Sequence, residues 1–326
     1  MQISKINNKL KLTAIFSTVI IITLAVLTYS KSVLGQEASG FNIEVSPGKV
    51  NLNIEPGDTF TQTFRIGNFS GAEKTFYLYV NDFTVINEQG TPTFFENEEL
   101  DEEARRFALS QWVELPSESI VIANNQTVEI DAEINVPEDA EAGGHYGAFF
   151  VQTQAPETAG TAVESIGRIA SLMLVNVPGD VAEEIVIAKA FTDKEIYWED
   201  NPSIEFVTLL KNEGNVHGIP VGAFNVAGGR GAKNKSVIFN QNQGAVLPGA
   251  PERRISETFK LEQKGSIVPP IGKFTIDLVA RYGTDNLPLE TTIFFWVLPA
   301  KFIAISVLTA LVTLFVIWRA LVSFKK

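Results

Sequence analysis

Phe41–Ile66 reads FNIEVSPGKVNLNIEPGDTFTQTFRI, and this stretch decides the fold. Phe41, Ile43 and Val45 alternate with Asn42 and Glu44; Val50, Leu52 and Ile54 alternate with Asn51 and Asn53. Successive side chains of a strand point to opposite faces, so a period of two marks a strand with one face buried and one in water. Pro56-Gly57-Asp58 interrupts the pattern with turn chemistry: proline holds φ and glycine accepts a positive one. Phe60, Gln62, Phe64 and Ile66 resume the run up to Gly67-Asn68. Further along come Phe76, Leu78 and Val80, then Ile120 and Ile122, a turn at Asn124-Asn125, and Val128, Ile130, Ala132, Ile134 and Val136 before Pro137. Short strands at roughly eight- to twelve-residue spacing, divided by turn residues, predict a β-sandwich.

The same grammar recurs in the second half. Glu138–Val151 passes through Gly143-Gly144 into the apolar strand opened by His145-Tyr146-Gly147. A glycine here admits a bulge or another segment at close range. Arg168–Val177 (RIASLMLVNV) is the expected last strand of a first domain, and Pro178-Gly179-Asp180 closes it. Ile204, Phe206, Thr208 and Leu210 alternate before the turn-rich Lys211–His217; Phe274, Ile276 and Leu278 follow, and Thr292–Val297 (TIFFWV) is the expected last strand. The chain of 326 residues, 45% of them hydrophobic, has room for two cores. Its 23 Phe against 2 Met favour sheets over helical bundles. It has no cysteine, so packing alone must hold the cores and thiolate chemistry is excluded.

Both ends carry apolar runs. Lys5, Lys9 and Lys11 precede Leu12–Leu27, and small residues follow, which describes a secretory signal over 1–36 with cleavage after Gly35 or Ala38. An uncleaved signal anchor is the rival reading. Phe302–Trp318 (FIAISVLTALVTLFVIW) contains no charge, and Arg319, Lys325 and Lys326 come after it. This predicts a transmembrane helix over 299–319 and a basic tail over 320–326. Positive charge marks the cytoplasmic side, so the expected topology is a single-pass plasma-membrane protein with its domains outside the cell.

Chemistry is sparse. Net charge is −12, which repels phosphate and argues against nucleic acid. Glu96–Trp112 has helical spacing at Leu100, Ala104, Phe107 and Gln111, with acidic residues toward its start, where a helix dipole favours them. Glu96–Glu103 lacks the alternating ligands and central glycine of a calcium loop and reads as a solvated helix start. His145 and His217 are the only histidines and are far apart in the chain, so no zinc set and no other metal or cofactor site is expected. There is no Gly-x-Ser-x-Gly elbow, and no enzyme activity is expected. Gly228-Gly229-Arg230-Gly231 lacks the ending of a phosphate loop and reads as a hairpin loop. Trp112, Tyr146 and Trp198 are candidates for stacking on sugar rings, against the plainer reading of core packing.

Trp112 ahead of two alternating strands, Val136-Pro137, and Gly144-His145-Tyr146-Gly147 opening an apolar strand resemble exported immunoglobulin-like domains of bacterial surfaces. With the Pro-Gly-Asp turn and Gly67-Asn68, the chain is similar to the WxL-interacting proteins of Gram-positive surfaces. The Asn-Glu-Gly-Asn-Val-His turn extends the likeness more weakly into the second half. The resemblance implies an all-β fold with two tandem immunoglobulin-like β-sandwiches, over 37–178 (with a helical insertion near 97–112) and 179–298. It also implies a signal segment, a C-terminal membrane helix and a short basic tail. It implies peptidoglycan binding by the first domain and a partner or host surface for the second. The expected function is that of a membrane-anchored extracellular binding or scaffold protein, engaging peptidoglycan or other surface proteins. Trp112, His145 and Tyr146 are the expected ligand contacts. Because the first domain also resembles periplasmic pilus chaperones, the alternative is a chaperone-like module for assembling exported surface proteins or pili. A fragment spanning Phe41–Leu298 should give a far-ultraviolet circular dichroism spectrum dominated by β-structure; a dominant helical spectrum would reject the sandwich reading.

Overall fold

A computed structural model describes residues 42–95, 105–153, 167–265 and 268–323. The expected signal segment (1–36), the acidic run Glu96–Glu103 and the terminal Lys325 and Lys326 lie outside the described residues. Among the described residues, ten strands build the first sandwich: β1 (Ile43–Ser46), β2 (Lys49–Asn53), β3 (Thr59–Asn68), β4 (Lys74–Val85), β5 (Pro92–Phe95), β6 (Val113–Glu114), β7 (Ser119–Ile122), β8 (Gln126–Asn135), β9 (Gly143–Gln152) and β10 (Arg168–Val177). One sheet has the order β1-β3-β8-β6; the other is β2-β10-β9-β4-β5, with β7 also paired to β4. Phe64, Ile66 and Ile130 from the first sheet pack against Phe76, Leu78, Phe149 and Met173 from the second, and Phe64 stacks on Phe149 at 4.5 Å. The alternation read from the sequence thus turns one face of each sheet inward.

The second sandwich uses β11 (Ile185–Thr192), β12 (Ile196–Tyr197), β13 (Ser203–Asn212), β14 (Val221–Arg230), β15 (Lys235–Phe239), β16 (Arg253–Lys260), β17 (Ile271–Tyr282) and β18 (Leu287–Val297). Its sheets are β11-β13-β16 and β12-β18-β17-β14-β15. Phe206, Phe224 and Phe259 make edge contacts across the core at 4.9 and 5.5 Å. The chain is therefore all-β with two tandem immunoglobulin-like sandwiches. Helix α1 (Ala300–Ser323) follows β18 at once. Within it, Ala300–Arg319 has mean hydropathy 2.4 and is not buried, so it is long and apolar enough to cross a membrane. Both of its threonine hydroxyls are satisfied internally: Thr309 Oγ1 donates to Ile305 O and Thr313 Oγ1 to Thr309 O, each at 2.8 Å.

Two local expectations change. Residues 96–104 of the expected helix lie outside the described residues; Arg105 is helical, and the helix does not continue to Gln111. Tyr146 N donates to Phe107 O at 2.7 Å, Ala108 forms a parallel bridge with Tyr146, and only a 3₁₀ turn at Ser110–Trp112 follows. Pairing with β9 at Phe107 and Ala108 keeps the helix from continuing past this point. The glycine run is not a free hairpin loop either. Gly228–Arg230 ends β14, with a register shift opposite β17. A Cβ on Gly229 would lie 2.2 Å from the Phe274 ring, so a side-chain-free bulge is needed to close over that core residue.

One polar device appears in both sandwiches. At the end of β3, buried Asn68 donates its amide to Ala72 O and Ile122 O, both at 2.8 Å, and accepts from Ser70 N. At the end of β13, Asn212 donates to Val216 O and Val246 O and accepts from Gly214 N. Each side chain closes its own turn and ties it to a distant segment. Asn68→Asp or Asn212→Asp should destabilise by about 3 kcal/mol, because a carboxylate would then face two buried carbonyl oxygens. Urea unfolding at neutral pH measures this; an unchanged midpoint would show that the clamps contribute nothing.

Candidate functional site

Every residue of β9 is buried. Phe149 and Val151 enter the core of the first sandwich. Tyr146, Ala148 and Phe150 point the other way, into a second apolar cluster with Phe83, Val85 and Leu174. Leu247 of the second sandwich completes that cluster, and Ala245 and Ala250 pack against it. The two sandwiches also meet through the backbone. Gly144 N donates to Asn215 O at 2.8 Å, and Asn215 Nδ2 donates to Ala142 O at 3.1 Å. A Cβ on Gly143 would lie 2.5 Å from Asn215 O, so the segment that comes close to this glycine pair belongs to the second sandwich.

The segment 105–112 lies against β9 and is pinned from β4. Asp82 is buried and accepts from Leu109 N, Ser110 N and Ser110 Oγ, all at 2.7 Å. Three donors satisfy a carboxylate that would otherwise be costly inside a sheet. Beside this anchor, the His145 ring packs on Trp112 with centroids 4.2 Å apart. Its ring nitrogens face Ala108 O at 3.2 Å and Glu141 O at 2.9 Å. Burial pushes the His145 pKa below the ordinary value, and the two carbonyls and the Glu141 charge offset this in part. Above it, Arg106 and Glu141 form an exposed ion pair, with Arg106 Nε 3.1 Å from Glu141 Oε2. The hydrogen bond and charge of Arg106 lower the Glu141 pKa.

Of the expected contacts, the structure brings Trp112 and His145 together. Trp112 is half-buried and His145 buried. Tyr146 lies on the opposite side of the strand, 2% exposed, edge-on to His217 at 5.6 Å. Burial pushes its hydroxyl pKa well up. Trp198 is in the second sandwich beside the start of α1, so the three candidate aromatics do not form one platform. Sequence reasoning missed Asp82, Glu141 and Asn215. Asp82 occupies a position in YVNDFTV that no local signal separates from an ordinary polar strand residue. Among the described residues, no group of three or more His, Asp or Glu side chains is placed to hold a metal ion.

Residues 41–153, which contain the Asp82 anchor, the Trp112–His145 pair and all of β9, match the family model described as WxL Interacting Protein, peptidoglycan binding domain. Residues 41–153 are thus similar to the peptidoglycan-binding domain of WxL-interacting proteins. No protein of curated function matches its sequence. Among solved structures it is similar to the class 5 fimbriae chaperone CfaA, with 10% identity, 78% of this chain and 99% of that one covered, and a TM-score of 0.37. It is also similar to a chain of the chaperone–tip adhesin complex of CFA/I fimbriae (10% identity, 79% and 100% covered, TM-score 0.36). The E. coli chaperone DraB is a third (9% identity, 78% and 97% covered, TM-score 0.31).

A recess lies where β2 and β10 approach the second sandwich. It has a volume of about 290 Å³, with Asn53, Asn176, Glu183, His217 and Thr284 in its wall. Burial, then the charge of Lys49, lowers the half-buried His217 to about 4. In the first sandwich, His145 is shifted the same way. Both histidines therefore stay neutral in the folded chain at pH values where an unfolded chain has begun to bind protons. Stability should be full above about pH 6.5, the unfolded value, and should fall as pH drops from there toward the folded values. The lowered Glu141 acts at more acidic pH. The melting temperature should decline between about pH 6.5 and pH 4.5. His217→Gln should flatten part of that decline, and adding His145→Gln should flatten the rest. A slope unchanged in the double variant would sink the assignment.

Proposed function

We propose that the protein is a membrane-anchored cell-surface binding protein whose first sandwich engages peptidoglycan. The match of residues 41–153 to the peptidoglycan-binding model carries this reading. The geometry supports a particular place for it: the rim formed by segment 105–112 and the loop leading into β9. Binding surfaces favour loops held by a rigid scaffold, and this rim is held by Asp82 from β4 and by His145 from β9. Trp112 is the contact residue in this reading, since its ring is half-buried and has one aromatic neighbour behind it. His145 sets the angle of that ring. Tyr146 acts from the far side of the strand by holding β9 against the second sandwich. The polar and charged groups at the rim, Gln111, Arg106 and Glu141, suit hydroxyl, amide and charged groups of a glycan-peptide polymer.

Helix α1 tethers the molecule to the plasma membrane in this proposal. Arg319 after the apolar run supports a cytoplasmic C-terminus with both sandwiches outside. The protein works by binding, with no catalytic step.

Full-length protein in mild detergent should sediment with purified peptidoglycan. Trp112→Ala should weaken this about tenfold, equivalent to roughly 1.4 kcal/mol at an aromatic contact. An unchanged melting profile for that variant would separate lost binding from lost folding. Protein that stays in the supernatant while capturing other surface proteins would replace the wall reading with a partner-binding one.

A further inference from the structure

The second sandwich carries an aromatic patch at its membrane-proximal end. On β18, Phe294 and Trp296 are both on the outer face and are 60% and 42% exposed. Ile196 of β12 pairs with Trp296 in parallel register and is 40% exposed. Trp198, 57% exposed, follows two residues later. Scattered apolar residues on a surface need no explanation, but four adjacent ones, two of them tryptophan, do. Lys273 pairs with Trp296 across the sheet and holds its Nζ 3.9 Å over the Phe294 ring. Lys301 is exposed in the first turn of α1.

The patch is tied to the apolar helix by backbone hydrogen bonds. Trp296 N donates to Glu195 O at 2.8 Å, Leu298 N to Tyr197 O at 2.7 Å and Ala300 N to Trp198 O at 2.9 Å. Trp296 is four residues from the helix start, at most about 14 Å along a fully extended chain. The bonds to Tyr197 and Trp198 hold the second strand of the patch equally close. If α1 crosses a bilayer, these rings are fixed at the depth where hydrocarbon gives way to headgroups.

We infer that Ile196, Trp198, Phe294 and Trp296 form a lipid-interface surface that seats the second sandwich in the phospholipid headgroup layer around α1. The inference rests on the proposal that α1 spans a membrane. Indole rings favour this layer because their apolar body and N–H suit its two environments. Lys273 extends its apolar stem along the patch, and Lys301 stands in the first turn of α1, so ammonium groups are available at phosphate level. The acidic groups near the patch in the chain are Glu195, Glu199 and Asp200, and Glu199 is paired with Lys194 at 3.2 Å. The surface orients the sandwich as well as attaching it, because β12 and β18 lie on one side of the helix start.

The chain has no cysteine, so single spin labels can be introduced cleanly. Full-length Phe294→Cys, Ile196→Cys, Val121→Cys and Leu314→Cys would be labelled and placed in nanodiscs of phosphatidylcholine and phosphatidylglycerol. Collisions with oxygen and with a water-soluble nickel complex report depth. The Leu314 label should be oxygen-accessible and nickel-protected, which marks α1 as inserted. Labels at Phe294 and Ile196 should show severalfold less nickel access than the label on exposed Val121 of the first sandwich. If Leu314 is inserted while Phe294 and Ile196 match Val121, the interface surface is refuted and the anchor stands. A nickel-accessible Leu314 would overturn the anchor and this inference with it. Protection at Phe294 that appears only with two chains per disc would assign the patch to a second copy instead.

Discussion

Strand β9 is covered on both faces, and most of the structure's long-range organisation follows from that. A strand at a sheet surface needs one apolar face; β9 has two. Phe149 and Val151 belong to the core of the first sandwich, whereas Tyr146 and Phe150 must be shielded by something outside it. That cover comes from Phe83, Leu174 and the Leu247 segment of the second sandwich. The hydrophobic effect thus couples the sandwiches through one strand. The Gly143-Gly144 pair lets the Asn215 backbone approach, and adds directional bonds to a contact that is otherwise apolar.

Burying a strand so fully leaves its polar neighbours in need of partners. Asp82 has three donors from the crossing segment, and the single N–H of the neutral His145 ring has a backbone carbonyl to donate to. The asparagine clamps at the ends of β3 and β13 meet the same requirement at the turns. In each case a buried polar group links elements far apart in the chain. Breaking one link leaves an unpaired group in a low-dielectric interior, so these sites specify geometry as well as stabilise it. The rim around Trp112 takes its shape from this network. Its form depends on residues that would not themselves touch a ligand.

At the other end of the molecule, β12 and β18 lead into α1 with no flexible spacer: Leu298 and Ala300 are bonded back to Tyr197 and Trp198. The second sandwich therefore shares the orientation of the helix start.

Much of this was legible in the sequence. Alternation from Phe41 to Ile66 and in the later strands, with Pro-Gly-Asp and Asn-containing turns between them, determined two all-β sandwiches. The uncharged run Phe302–Trp318 determined an apolar helix of membrane length. These signals are local, since a strand or helix repeats within two to four residues. The tertiary structure alone decided that Tyr146 faces the second sandwich while neighbouring His145 backs Trp112. It alone decided that Asp82 captures Leu109 and Ser110, that Phe107 and Ala108 pair with β9, and that Trp198 joins Trp296 beside the helix. Each of these depends on a contact between residues tens of positions apart. Such contacts are set by which faces must be covered and which buried polar atoms must be paired, and no local period in the chain records either.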